Sequence, residues 1–78
     1  VQIRTYRSEQ KIEAFYWEHG MEPLEGWVQS KVTPRGPTYL APTPKGMRLV
    51  VNGCYHVLTG DDIAVLSKGQ FESVWHVE

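Results

Sequence analysis

The chain predicts a small, mainly β domain: an antiparallel meander or a partly closed barrel of about five strands, with one short helical turn. Three observations lead there. Residues 38–78 divide into short apolar runs set apart by turn residues, a spacing that suits strands of a small sheet and is too tight for helices. Lys11–Trp17 alternates with a period of two, and its Phe15-Tyr16-Trp17 cluster fits a pleated surface better than a helix. Gly20, Pro23, Gly26, Pro34, Gly36 and Pro37 punctuate the segment between, so no long element fits there.

In chain order, Lys11–Trp17 is the first predicted strand, with Ile12, Ala14 and Tyr16 on one side and Glu13, Phe15 and Trp17 on the other. Trp27–Val32 reads as a short strand that puts Val28 and Val32 on the same side, and the rest of residues 18–37 as a surface loop. Thr38–Ala41 leads into Pro42-Thr43-Pro44-Lys45-Gly46. Proline cannot donate a ladder hydrogen bond, so this stretch is predicted at an edge or a turn. Met47–Val51 and Cys54–Thr59 flank Asn52-Gly53, the strongest short-range turn signal in the chain. Gly60-Asp61-Asp62 is a second tight connection before Ile63–Leu66. Ser67 and Gln70 have capping-box spacing, which predicts a helical turn that carries Phe71 into the core before Val74–Val77 closes the sheet. No internal repeat stands out.

The 78 residues are read as one domain, residues 1–78, whose core is marginal unless well packed or oligomeric. Three Trp, four Tyr and two Phe supply large buried area per residue, so folding needs neither metal nor disulfide. One cysteine, Cys54, allows no internal disulfide and points to a reducing compartment. No apolar run is long enough to span a bilayer and no signal peptide is visible, so the expectation is a soluble cytoplasmic protein. The first residue is Val1, which reads as a trimmed N-terminus. The formal net charge is −1 but unevenly spread: residues 26–60 hold Lys31, Arg35, Lys45 and Arg48 without an acid, between two acidic ends. The basic centre reads either as a contact surface for an anionic partner or as a segment paired internally with those ends, pairing being the ordinary fate of surface charge.

The chain also resembles a family of small phage and prophage proteins of unassigned function. The match rests on Ile12, Glu13, Ala14 and Trp17 in an N-terminal Ile-Glu-Ala-x-x-Trp strand. In the C-terminal half it rests on Pro42–Gly46, Asn52-Gly53-Cys54-Tyr55, Gly60, Phe71-Glu72 and Trp75. The family carries Pro-Gly-Asp-Tyr/Trp and then Asp-x-Phe-Glu-x-x-Tyr. Here Asn52 stands for Pro, Cys54 for Asp and Trp75 for Tyr. The resemblance implies a β fold and a viral origin, and no activity or site.

Chemistry-bearing residues are sparse. His19, His56 and His76 with Cys54 lack metal-motif spacing, and Cys54 with His56 on one strand face reads as a small buried thiol beside a surface histidine. A Cys–His nucleophile would also need an oxyanion site, an orienting acid and a cleft, so no enzyme and no cofactor is expected. Asp61-Asp62 reads as a solvated turn. A protein-binding domain needs the least equipment. Trp27, Arg35 and Tyr39 are the candidate contact residues, with Trp75 a further ring that so small a domain need not bury fully. The partner would be a host or phage protein, with inhibition of a host enzyme or defence complex a fitting outcome. The alternatives are nucleic-acid binding through Arg35, Lys45 and Arg48, against which the sequence pI near 6.3 argues, and a minor virion or assembly component that oligomerises through sheet edges.

Overall fold

Strand β2, Lys11–Trp17, carries an apolar row on each face, and the molecule is built outward from both. In the computed structural model, which describes residues Val1–Glu78, Ala14 is buried on one side of β2 and Phe15 and Trp17 on the other, as the alternation predicts. β2 is the centre of a five-stranded antiparallel sheet in the order β7-β6-β2-β1-β8. Its neighbours are β1 (Arg4–Arg7), β6 (Cys54–Leu58), β7 (Ile63–Ser67) and β8 (His76–Val77). A second antiparallel sheet, β3-β4-β5, is formed by Val28–Thr33, Gly36–Thr43 and Gly46–Leu49. The two sheets meet through Phe15, Trp17, Ala41 and Val50, with Trp27 and Tyr39 packed against them.

The opposite face of the large sheet is covered by helix α1, Lys68–Val74. Ser67 is its N-cap and accepts the Gln70 N–H at 3.3 Å, the arrangement that the Ser67/Gln70 spacing predicts. The helix is held by Phe71, which stacks on Tyr55 at 4.0 Å and meets Tyr6 edge-on at 4.8 Å. Rings thus fill both cores, as a short chain requires.

The mainly β class is as expected, but the eight strands lie in two sheets and neither closes into a barrel. Val50–Gly53 is the reason. Asn52-Gly53 does turn the chain, with Gly53 at φ 72°, yet the strands it joins enter different sheets. The helix is longer than a single turn and runs through Val74, leaving only His76–Val77 to pair with β1. β1 has no alternating signal because Tyr6 is its one apolar residue; it forms because β2 offers it a ladder.

Pro44 lies in a turn as expected, but Pro42 lies within the central strand of the small sheet, and so does Pro37, which was expected to end the preceding loop. β4 is central only at Leu40, which pairs with both Val28 and Leu49. β3 pairs with its first half and β5 with its second. By antiparallel alternation, Pro37 directs its missing N–H past the end of β5, and Pro42 directs its own past the start of β3. The stagger gives β4 two half-edges, so the proline rule holds locally. The bulge between Gln29 and Val32 in β3 shifts the register by one residue and places Val28 and Val32 on opposite faces, where the sequence alone put them together.

Phe71→Ala is expected to cost about 3–5 kcal/mol, a large share of the roughly 4–12 kcal/mol that a domain of this size holds. Ser67→Ala is expected to cost about 1 kcal/mol. Urea denaturation followed by tryptophan fluorescence measures both.

Candidate interaction surface

β4 is regular from Gly36 to Thr43, so its side chains alternate between core and solvent. Tyr39 and Ala41 turn inward; Leu40 and Pro42 therefore turn outward. Pairing extends that outward row across the sheet, because Val28 and Leu49 flank Leu40 and Met47 lies beside Pro42. Val28 is 52% exposed, Leu49 55% and Met47 41%. Three strands thus present an apolar face, exposed at Val28, Met47 and Leu49 with Leu40 half-buried between them, the kind of patch that marks an interaction site.

The border of this face is basic. The hairpin turns at its two ends are Thr33-Pro34-Arg35-Gly36 and Thr43-Pro44-Lys45-Gly46. They use the same device: the threonine Oγ1 donates to the glycine carbonyl, at 2.9 Å in the first and 2.6 Å in the second. The two glycines sit at φ 129° and 116°, a region other residues rarely enter. The Thr-Pro-basic-Gly motif recurs ten positions apart and is a sequence signal for the pair of turns. It sets one cation at each end of the small sheet, and Lys31 adds a third from the β3 bulge.

The residues singled out from sequence scatter over this frame. Trp27 and Tyr39 are half-buried and pack inward, Trp27 against Phe15 at 5.1 Å and Tyr39 against Trp17 at 5.9 Å. Trp75 is also half-buried, beside Phe71. Arg35 is exposed and makes no ion pair with a carboxylate. Arg48 donates from Nε to Asp62 Oδ1 at 2.7 Å and from its terminal nitrogen to Oδ2 at 3.3 Å. That bidentate bond raises the arginine pKa and, with the Ile63 N–H, lowers that of Asp62. Lys45 lies 3.6 Å from Asp61. Asp61-Asp62 is therefore an anchor between sheets rather than a freely solvated turn. Arg35 and Lys45 stand at opposite ends of β4, more than about 20 Å apart at the usual rise per residue. The structure does not gather Arg35, Lys45 and Arg48 into one patch.

Cys54 and His56 share a face of β6, but the roles expected of them are exchanged: His56 is completely buried and Cys54 only half. His56 stacks on Phe15 at 4.7 Å with the rings nearly parallel. Its Nε2 accepts the Val51 N–H at 2.9 Å, which makes it the neutral tautomer protonated at Nδ1. Nδ1 lies towards the Cys54 and Phe15 carbonyls without a completed hydrogen bond. Burial lowers the pKa, outweighing those carbonyls. Its lone pair is committed to backbone and is not presented to Cys54. No cluster of three His, Cys, Asp or Glu side chains with metal-holding geometry occurs. A groove of about 540 Å³ beside α1 is lined by Arg4, Tyr6, Tyr55, Glu72 and Trp75 among others. There Tyr55 donates to Glu72 at 3.0 Å, and burial, then that bond, pushes the phenol up to about 12.

No helix is long and apolar enough to cross a membrane. Compared with protein-family models, curated proteins and solved structures, the chain matches none.

Because the folded pKa of His56 is depressed, its contribution to stability is complete above the unfolded value of about 6.5 and is lost as pH falls below it. The urea midpoint is expected to fall between pH 7.5 and 5. Followed by NMR, the His56 imidazole is expected to titrate below the unfolded value; a titration centred near that value would show that the ring is not held neutral.

Proposed function

We propose that this chain is a phage- or prophage-encoded accessory protein that acts by binding another protein, without turnover. Occupation of a host enzyme or defence complex would be its mode of action. The observation that carries the reading is the outward apolar row Val28–Leu40–Leu49 with Met47 beside it. It lies on a sheet that contains no acidic residue. A partner suited to it presents an apolar patch bordered by Asp and Glu, so that Lys31 and Arg35 meet opposite charge and guide the approach. The likeness to phage proteins, read from Ile12–Trp17 and the C-terminal turns, supports the viral origin. The nucleic-acid alternative draws no comparable support, since Lys45 and Arg48 are occupied by Asp61 and Asp62.

The reading moves the test away from Trp27, whose packing on Phe15 makes Trp27→Ala a change to the core. The informative variants are Val28→Lys with Leu49→Lys on the apolar face, and Lys31→Glu with Arg35→Glu on its border. Tagged protein is used to capture a stoichiometric partner from bacterial lysate, and its affinity is then measured by calorimetry. The face variant is expected to lose at least about tenfold in affinity. The border variant should bind more slowly, with a weaker dependence on salt. Unchanged affinity in the face variant, with its thermal midpoint retained, would remove this surface from the function.

A further inference from the structure

The two sheets have four edges, and three of them are blunted. β8 has only two residues. β3 is broken by its bulge and carries Lys31. β5 has four residues and directs the charged Arg48 inward. Such devices stop a sheet from adding a further strand. β7 has none of them. Ile63-Ala64-Val65-Leu66-Ser67 contains no charge, proline or glycine, and its pairing with β6 is regular throughout.

Its free groups can be located. Thr59 N–H donates to the Asp62 carbonyl at 3.0 Å, which makes Thr59 and Asp62 a hydrogen-bonded pair. By antiparallel alternation, Ala64 and Leu66 bond to β6, while Ile63, Val65 and Ser67 direct their amides outward. The Ile63 N–H is consistent with this, since it donates instead to Asp62 Oδ1 at 2.8 Å.

We infer that β7 pairs antiparallel with β7 of a second copy of this chain, about a twofold axis at Val65, to give a continuous ten-stranded sheet. In this register the two Val65 residues exchange both backbone bonds, and each Ser67 N–H reaches the Ile63 carbonyl of the other copy. No hydrogen bond already present is disturbed. Ala64 falls opposite Leu66, so apolar side chains meet across the axis. The ends decide the occupant. β7 is preceded by Asp61-Asp62, which Lys45 and Arg48 hold, and followed by Lys68, so antiparallel self-pairing brings Lys68 of the second copy to the acidic end, whereas parallel pairing sets acid beside acid and Lys68 beside Lys68. The strand is complementary to itself, as a twofold interface must be.

Sedimentation equilibrium of the full chain, from low-micromolar to millimolar concentration, tests this. The wild-type mass should rise towards that of a dimer, and the dissociation constant should weaken in high salt. Val65→Pro removes the outward N–H. Val65→Lys, at a position 42% exposed, keeps the backbone and blunts the edge with charge. With folding verified by circular dichroism, each should weaken the dimer at least about tenfold. Leu49→Lys, on the far face of the other sheet, should leave it unchanged. A wild type that stays monomeric throughout overturns the inference. So does a dimer that survives Val65→Lys, or one that Leu49→Lys abolishes.

Discussion

The corner at Val50–Gly53 determines how the two sheets sit on one another. Each of its four residues is tied to a different part of the chain. Val50 N–H donates to the Tyr39 carbonyl at 3.0 Å, Val51 N–H to His56 Nε2 at 2.9 Å and Gly53 N–H to the Trp17 carbonyl at 2.8 Å. Asn52 Oδ1 accepts the His19 N–H at 2.8 Å. The Val50 side chain, meanwhile, is 3% exposed and part of the core. Backbone that leaves one sheet and enters another inside a packed layer must satisfy its polar groups without a ladder. His56 is the acceptor that makes this workable at Val51. A charged His56 would lose the acceptor and leave a cation among Phe15, Trp17 and Val50, so the corner and the neutrality of the ring are one constraint.

From that corner follows the orientation of everything at the surface. With Val50 and Ala41 facing the large sheet, Tyr39 must face it too, and Leu40 and Leu49 cannot. At the other end of the interface, Arg48 and Lys45 reach Asp62 and Asp61 in the β6–β7 turn. The small sheet is thus held at both ends, by backbone at the corner and by charge at the turn. Exposed ion pairs contribute modestly to stability, and the more definite effect of these is on charge distribution. They occupy the basic residues nearest the large sheet and leave Lys31 and Arg35 beside the apolar face.

Much of this was legible in the sequence, and the gaps have physical causes. The period-two pattern of Lys11–Trp17 and the Ser67/Gln70 cap are local signals, and local structure followed them. The β class followed from turn spacing for the same reason. The division into two sheets was not legible, because Asn52-Gly53 specifies a change of direction and not which strand lies beside which. β1 was missed because a four-residue strand with one buried ring has no periodicity to read. The apolar face was hidden behind its own neighbours: Trp27 and Tyr39 are larger and more conspicuous than Val28 and Leu40, yet a one-residue step along a strand exchanges inside for outside. Among Trp27, Arg35 and Tyr39, only Arg35 lies exposed at the border of that face. The Thr-Pro-basic-Gly turn at Thr43–Gly46 would have fixed the β4-β5 register in advance, and with it the pairing of Leu40 with Leu49; the β3 bulge that brings Val28 beside them has no such signal.

The small sheet and the edge of the large one illustrate two different ways of leaving apolar groups in water. On the small sheet the backbone is largely satisfied and the side chains are exposed, so a partner gains mainly by covering area, and basic residues at its margin discriminate among candidates. At β7 the side chains are partly packed and the backbone is left open, so only another strand satisfies what is missing. On the proposed reading the first surface would accept a protein of suitable shape and charge, while the second, with the self-pairing inferred above, would take its own copy. They lie on different sheets and point in different directions, so pairing at β7 leaves the outer face of β3-β4-β5 free. A dimer formed in this way would display two apolar faces, and a partner with two matching sites would bind with the gain that linked binding brings.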